Sequence, residues 1–516
     1  MTRIHIQANL YEHLRNHFSY TSFHEGQEEI ILDVLRGRDV LGILRTGTGK
    51  SLCYQLPAKM LPGITIVVSP LISLMIDQVR ELEAIHYRQV VALHSFQQWS
   101  ERQTILRNLH HYKLIYVSPE ILQNKQIITL FKQQHVSLFV VDEAHCISQW
   151  GYDFRPDYLR LLEVIETLHN PTVLALTGTA TPNVQNDIQD KLKRPNMIEH
   201  VYPMDRENIS LVVEEINGSE AEKLDHLLTW IKGTNEPTIV YFSSRIATEK
   251  VAQHIANQLA NKRVAYYHGG LETTDRLKIQ QQFMNDQLEI ICCTSAFGMG
   301  INKANIRMII HYHLPPQIES YIQEIGRAGR DGRDSISVLL YRQEDIHIPL
   351  QIIENELPTH AELRFIMERL IDYQDNKVLL PLDEDVIEQQ FLIQPTKWRY
   401  LLYQLEQHGI VKEQEVQTTE STIKEVFNEI NHFTEQRLRA KRQQLNEVIN
   451  WIHTQSCLRT KLYEPFQQDI TRKEANCCSN CGVVLEDSLE HDVSTDKETS
   501  DWQTLLKRVL LIGDID

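Results

Sequence analysis

The sequence predicts an α/β chain: two successive open parallel sheets with covering helices, followed by a mostly helical region. Three observations predict it. From about residue 38 to 345, short apolar runs alternate with amphipathic stretches, the pattern of strands joined by crossover helices. The alternation stops near Asp205 and restarts at Pro237, so the strands fall into two sets. Beyond about residue 355 the period becomes helical. At 516 residues the chain is too long for one core, and about three domains are expected.

Strands of the first set are expected at 40–44, 64–69, 114–117, 138–142 and 173–177, and those of the second at 238–242, 264–267, 289–293, 308–311 and 335–340. The junction falls near 205–220, around the turn-forming NGSE at 217–220. The helical part opens with an amphipathic stretch at 361–373, and 377–382 has the composition of a short strand. Residues 385–391 and 396–408 read as two helices, the second capped by Gly409. Helix, strand, helix, helix and an extended piece is the order of a winged helix-turn-helix, which small bundles share. Residues 421–454 read as one long helix carrying Arg437, Arg439, Lys441 and Arg442. The stretch 486–501 is acidic and without a packing pattern, and WQTLLKRVLLIGD after it fits a short amphipathic helix. The expected domains are 1–208, 209–350, 351–430, 431–485 and a tail at 486–516.

Composition bounds the class. A hydrophobic share of 42% fits a globular chain. No apolar run reaches the ~20 residues a membrane helix needs. The N-terminus, MTRIHIQANLYEHL, mixes charge with its apolar residues, unlike a signal peptide. A cytoplasmic protein without membrane contact is expected. The net charge of −17 argues against wholesale nonspecific binding of nucleic acid but is compatible with a local track of aligned Lys and Arg. Cys53, Cys146, Cys292 and Cys293 are scattered among apolar or motif residues and read as reduced, buried thiols.

Four short segments carry chemistry if they meet. Thr46-Gly47-Thr48-Gly49-Lys50-Ser51 follows an expected strand and opens a helix. Glycines let the backbone approach a phosphate, and amides at a helix start point at its oxygens. Lys50 would reach the β- and γ-phosphates of ATP, and Ser51 would hold Mg²⁺. The general pattern puts a glycine five residues before Gly49; Leu44 stands there, so the match is to the shorter TGTGKS form. Asp142 and Glu143, in DEAH, end an apolar strand at the sheet edge where ligands bind. Asp142 would bind Mg²⁺ through water, and Glu143 would orient or deprotonate the attacking water. The third segment is LTGTATP at 176–182, and the fourth, QEIGRAGR, holds Gln323, Arg327 and Arg330. The two arginines are three apart and share a helix face, with Gly326 and Gly329 leaving room beside them. An arginine supplied to the γ-phosphate is worth ~10³–10⁵ in rate where enzymes use one. Singly, these segments read as well as a Gly-rich turn, a solvated loop or an exposed helix. Together they describe a motor whose two lobes close on ATP.

With these residues assembled, the chain resembles a superfamily 2 helicase and is similar to the RecQ family over about residues 18–345. The likeness is carried by FHEGQEEII at 23–31, SPLISLMIDQV at 69–79, DEAHCISQWGYDFRPDY at 142–158, AFGMGINKANIR at 296–307 and ESYIQEIGRAGRDGR at 319–333. The resemblance implies two tandem RecA-like domains, ATP-driven unwinding of DNA with 3′-to-5′ translocation, and duplex, forked or junction substrates in recombination and repair. It matches Gln27 to a glutamine that reads the adenine edge. Trp150, Phe154 and Arg155 match an aromatic-rich loop that stacks on bases and couples DNA binding to hydrolysis. Thr177 and Thr179 match the segment linking the ATP site to the DNA track, and Gln323, Arg327 and Arg330 match the second-domain ATP motif. His24 stands where the family usually has Arg, which weakens a phosphate contact at neutral pH. Gly178 and Gly269 stand for small residues of the family pattern. An RNA helicase of the DEAH type and a DNA-binding scaffold with a dead nucleotide fold are the competing readings. The aromatic loop and the zinc cysteines count against the first; intact Lys50, Asp142, Glu143 and Arg330 count against the second.

Cys457 and, about twenty residues on, Cys477, Cys478 and Cys481 form a second group. A Cys-x-x-Cys turn supplies two corners of a tetrahedron, and two more thiolates close a structural Zn²⁺ site. The fourth ligand is either Cys477 or an outside residue. WIHTQSCLRTKLY resembles the start, and CCSNCG the end, of the RecQ zinc region. Typical members then carry a winged helix and often a small helical nucleic-acid domain; about 35 residues remain here, too few for either. The segment near 355–430 is the expected substitute for the strand-separating wing, on its helix order and the cluster Lys397, Trp398 and Arg399. The expected partners are DNA, single-strand-binding protein and other repair factors, at the nucleoid.

Overall fold

Both expected sheets form in the computed structural model, which describes residues 3–148, 155–298, 301, 303–381, 383–412, 414–467, 470 and 476–483. The first sheet holds β1 (Val40–Ile43), β2 (Ile64–Val68), β3 (Val90–Leu93), β4 (Leu114–Val117), β5 (Val136–Val141), β6 (Thr172–Thr177) and β7 (Ile198–Val201) in the order β3-β4-β2-β5-β6-β1-β7, all parallel. Alternate residues of one strand enter separate cores: Ile66 and Val68 pack on one face, Val67 on the other. Burial on both faces is what turns such strands into unbroken apolar runs.

The second sheet holds β8 (Ile209–Glu215), β9 (Thr238–Tyr241), β10 (Val264–Tyr267), β11 (Ile290–Cys293), β12 (Met308–His311) and β13 (Ser335–Tyr341), in the parallel order β10-β11-β9-β12-β13-β8. Three strands were not expected. β3 and β7 are the edge strands of the first sheet, and the half-buried, charged β7 has no apolar run to betray it. β8 lies inside the stretch read as the junction; its seven-residue pairing with β13 makes it the edge of the second sheet.

Beyond the second sheet, the helices His360–Asn376, Glu384–Phe391 and Pro395–Gln407 lead into a two-residue hairpin, β14 (Val411–Lys412) and β15 (Glu415–Val416). The expected strand at 377–382 does not form among the described residues of that stretch. Lys377 ends the preceding helix in the left-handed region (φ 53°), and Val378 N–H closes back on the Tyr373 carbonyl. One hydrogen bond, Leu380 N–H to Gln414 O at 2.8 Å, ties this segment to the hairpin. Gly409, at φ 69°, turns the chain out of the third helix as its position implied. The cluster of Lys397, Trp398 and Arg399 needs correction. Lys397 is buried on Glu362 at 2.9 Å, and Trp398 packs on Phe391 with ring centroids 4.6 Å apart; only Arg399 of the three is exposed.

One 33-residue helix, Glu420–Ile452, runs through the expected boundary at 430 and serves two cores. Its first half (Ile423, Val426, Phe427, Ile430) packs with the three insert helices. Its last turns (Val448, Trp451, Ile452) join the core under the second sheet, together with Leu458, Leu462 and the cysteines. Among the described residues no helix is long and apolar enough to cross a membrane. The expectations for 486–516 lie outside the described residues.

Candidate active site and metal centre

The TGTGKS loop runs from β1 into the helix Leu52–Met60. Gly47 (φ 93°) and Gly49 (φ 71°) adopt backbone that side-chain-bearing residues avoid, which is why glycine recurs there. The helix starts with Leu52 and Cys53 N–H on the Gly49 and Lys50 carbonyls. Thr48 Oγ1 donates to Arg45 O at 2.9 Å and closes the loop on itself. Gln27 is 1% exposed, and its amide is spent inside the protein: Nε2 donates to Thr48 O (2.7 Å) and Gly49 O (3.0 Å), while Oε1 accepts from His24 N–H (2.9 Å). In this state Gln27 braces the phosphate loop from behind. Gly178 is more than a small-for-small exchange: a Cβ there would lie 2.9 Å from Lys50 Nζ and 3.1 Å from Thr46 Oγ1, so the glycine leaves space that Lys50 uses.

Asp142 follows β5, and its N–H bonds Val68 O at 2.9 Å. Burial, then the Glu143 charge, hold its carboxyl well above the usual range, at about 7, against the pull of Lys50. Glu143 sits in the left-handed region (φ 49°), a strained position for a non-glycine, and its buried Oε2 has no hydrogen bond. Glu143 Oε2 lies 3.5 Å from His145 Nδ1, which bonds Thr177 Oγ1 at 2.8 Å; Thr177 Oγ1 in turn accepts from Thr179 N–H at 3.3 Å. The DEAH turn and the LTGTATP segment are thus one network. His145 is the link, a residue to which the sequence reading assigned no role.

Trp150 and Phe154 lie outside the described residues. The ends of their loop are described: Ser148 N–H bonds His145 O at 3.1 Å, and Arg155 N–H bonds Cys146 O at 3.1 Å. Arg155 also donates to Pro70 O at 2.7 Å, and Tyr158 OH to Asp142 O at 3.2 Å. Both ends of the loop are therefore fastened to the turn that carries Asp142 and Glu143.

Gln323 ends up buried on the helix Ile318–Ile325, and Arg327 and Arg330 lie in the turn after it. Arg327 is buried and bonds Gly298 O. Arg330 bonds Ile301 O, and its stem lies against the phosphate loop: a Cβ on Gly47 would meet Arg330 Cγ at 3.2 Å and Nε at 3.3 Å. A Cβ on Gly326 would likewise meet Thr46 Cβ at 3.3 Å. Burial and the charges of Arg327 and Arg206 push the Arg330 guanidinium down to about 9, and Arg45 presses on Arg206 in the same way. The mutual repulsion of these arginines beside the phosphate loop marks a concentration of positive charge that an anion would relieve. Arg45, which opens the phosphate-loop segment, and Arg206, which stands apart from every motif, were given no role in the sequence; the fold sets one beside the other.

Residues 24–188 match the DEAD/DEAH box helicase family, and residues 220–332 match the helicase conserved C-terminal domain. The chain is 39% identical over 482 residues to the probable ATP-dependent DNA helicase RecS of Bacillus subtilis (strain 168), spanning 93% of this chain and 92% of that protein. The chain belongs to the RecQ/RecS family of ATP-dependent DNA helicases. The RecQ helicase of Haemophilus influenzae is 41% identical over 334 residues, 64% of this chain and 53% of its own, so this helicase spans about half of that relative. Among solved structures, DEAD-box helicase Mss116 bound to ssRNA and UDP-BeF superposes with a TM-score of 0.56 at 17% identity, covering 76% of this chain and 86% of that one. Mycobacterium smegmatis Lhr bound to ssDNA and AMP-PNP gives 0.53 at 18%, covering 73% and 54%. At such identities the likeness is one of fold.

The helicase gathers its other four cysteines at one point. The Sγ atoms of Cys457, Cys477, Cys478 and Cys481 all lie within 4.8 Å of one another, three of them buried. Cys457 is 3.7 Å from Cys477 and 3.9 Å from Cys478. A tetrahedron with metal–sulfur arms of ~2.3 Å has edges of ~3.8 Å, so the spacing fits a thiolate-bound metal and not a disulfide. Among the described residues Cys477 stands with the other three as the fourth member of the cluster. Cys53, Cys146, Cys292 and Cys293 are buried and outside any disulfide, as expected.

Proposed function

We propose that this helicase hydrolyses Mg²⁺-ATP between its two lobes and uses the cycle to move 3′ to 5′ along one DNA strand, opening duplexes, forks or junctions in recombination and repair. The observation that carries the reading is Arg330 of the second lobe lying against Gly47 of the first. A triphosphate seated in the loop would meet Lys50 at its β- and γ-phosphates, and Arg330 with Arg327 at the group being transferred. Ser51 and the buried Asp142 fit Mg²⁺: a divalent charge beside Asp142 reverses the burial penalty that raises its carboxyl. Glu143, with a hydrogen-bond position unused, orients the attacking water. Gln27 reads adenine only after leaving the Thr48 and Gly49 carbonyls, which makes the brace and the base contact alternatives. Thr177 and Thr179 join this chemistry, through His145, to the loop of Trp150, Phe154 and Arg155. The four cysteines hold a structural Zn²⁺. Single-strand-binding protein is the partner such a motor would meet on its track.

Strand displacement on tailed and forked DNA tests the reading. Lys50→Ala and Arg330→Ala should each abolish ATP-driven unwinding while DNA binding persists. Normal hydrolysis in either variant overturns the site assignment, and equal stimulation by RNA overturns the choice of DNA.

A further inference from the structure

The turn that carries Arg327 and Arg330 is held by a residue outside both sheets. The carbonyls of Gly326, which caps the helix Ile318–Ile325, and of Gly329 in the turn beyond it both accept from Arg206: Nη1 bonds Gly326 O at 2.9 Å and Nη2 bonds Gly329 O. Gly329 O also accepts from Gly332 N–H at 3.0 Å and from Asn208 Nδ2 at 2.9 Å, and Asn208 Nδ2 reaches Arg333 O at 2.7 Å. Arg206 and Asn208 lie between β7 and β8, in the strand of chain that joins the lobes.

That joining segment is clamped in turn. Arg459, whose side chain is 1% exposed, pairs with Asp205 (4% exposed), donates to Arg206 O at 3.1 Å and bonds Ile209 O. Arg459 lies in the first turn of the helix Leu458–Tyr463, which begins at Cys457. A continuous line of contacts therefore runs from the cysteine centre through Arg459, the Asp205–Arg206 backbone and the glycine carbonyls to Arg330 at the phosphate loop.

Burying charged pairs is a poor way to gain stability, since desolvation offsets most of the attraction. A planar guanidinium supplies something else: two donors at a fixed angle, which set the orientation of what they bind. Both terminal nitrogens of Arg206 bond carbonyls of the arginine turn, so its route to the nucleotide runs through that turn. We propose that Arg206, itself set by Arg459, is a positioning residue for ATP hydrolysis that fixes where Arg330 stands relative to the phosphate loop. The proposal rests on the reading of Arg330 given above.

The test is steady-state ATP hydrolysis by the full chain with saturating single-stranded DNA. Arg206→Lys keeps the charge and loses the fork. Its kcat should fall about 10- to 100-fold, the cost of misplacing a group that acts on the transition state. KM for ATP and the affinity for a fluorescent ATP analogue should stay within about twofold, because ground-state binding does not use the misplaced group. Arg459→Lys should lower kcat in the same manner but less. In an Arg330→Ala background, Arg206→Lys should cost nothing further, a result that general loosening of the fold would not produce. Asn208→Ala removes a donor to Gly329 without touching a buried charge and serves if Arg206→Lys does not fold. Wild-type kcat in Arg206→Lys, affinity falling in step with kcat, or additive losses with Arg330→Ala would each overturn the proposal. Arg330→Ala with full hydrolysis would remove the underlying reading as well; Arg330→Ala without hydrolysis beside a fully active Arg206→Lys would remove the relay alone.

Discussion

The two ends of the helix Glu420–Ile452 differ in what they belong to. The first half is part of a separate insert core, with Leu363, Phe391, Trp398 and Leu405. The last turns are part of the second sheet's own core, where Trp451 packs against Tyr321 with centroids 4.8 Å apart and donates to Leu458 O at 2.9 Å. The cysteine region goes further and is bridged to the sheet's edge strand β8: Leu211 N–H bonds Cys477 O at 3.2 Å, and Ser210 Oγ donates to Asn476 O at 2.6 Å. The difference teaches that position in sequence is a poor guide to mechanical membership. The segment farthest from the ATP motifs is built into the catalytic lobe, while the nearer insert stands apart from it.

The largest effect should come from the cysteine side. Cys478 is fully buried and accepts from Leu458 N–H. Cys478→Ser should collapse the centre, and circular dichroism melts should reveal loss of the second lobe's cooperative unfolding together with ATP hydrolysis. If hydrolysis survives, the region is an appendage and the contrast fails. Next, Trp451→Ala and Trp398→Ala should each cost about 3–5 kcal/mol in their own core. Only the first should lower the melting temperature of the ATP-hydrolysing unit; the second should leave DNA-stimulated hydrolysis intact and weaken unwinding. A matched deletion of 358–420, with Ile423, Val426, Phe427 and Ile430 made polar, should do the same more completely, and unchanged unwinding would refute the insert's role.

A smaller effect concerns pH. His313 is buried, accepts from Ser243 N–H at 3.1 Å, and is pushed down to about 4 by burial and the Lys223 charge, with Glu220 pulling the other way. The unfolded chain therefore takes up the proton first. The stability His313 supports is complete above about 6.5 and is lost as pH falls toward 4. Melts between pH 7 and 5 should lower the second lobe's transition, and His313→Gln should flatten that slope. The smallest effect belongs to the contact that fastens the insert to the first lobe, the half-exposed Arg160–Glu406 pair. Arg160→Ala should change stability by about 0.2–1 kcal/mol, less at high salt; a double-mutant cycle above that range would mean the insert is more tightly coupled than its separate core implies.

Local chemistry was legible wherever the physical constraint is local. A glycine at φ 93° in a strand-to-helix loop, a buried apolar strand and a Cys-x-x-Cys turn each announce themselves within a few residues, and ten strands and the four segments that the fold brings together were readable on that ground. Of the four edge strands only β10 was: β3 is a four-residue run, β7 is half exposed, and β8 is recognisable only through its partner β13. Nor was the company kept by charge. Lys397 looked like a surface cation and is buried on Glu362, while Arg206 and Arg459 looked like nothing in particular and hold the arginine turn. Sequence alone determined which groups could touch a triphosphate, since backbone freedom and side-chain chemistry travel with the residue. Tertiary structure alone decided which arginines converge and what holds them, since a buried charge takes its meaning from partners more than a hundred residues away.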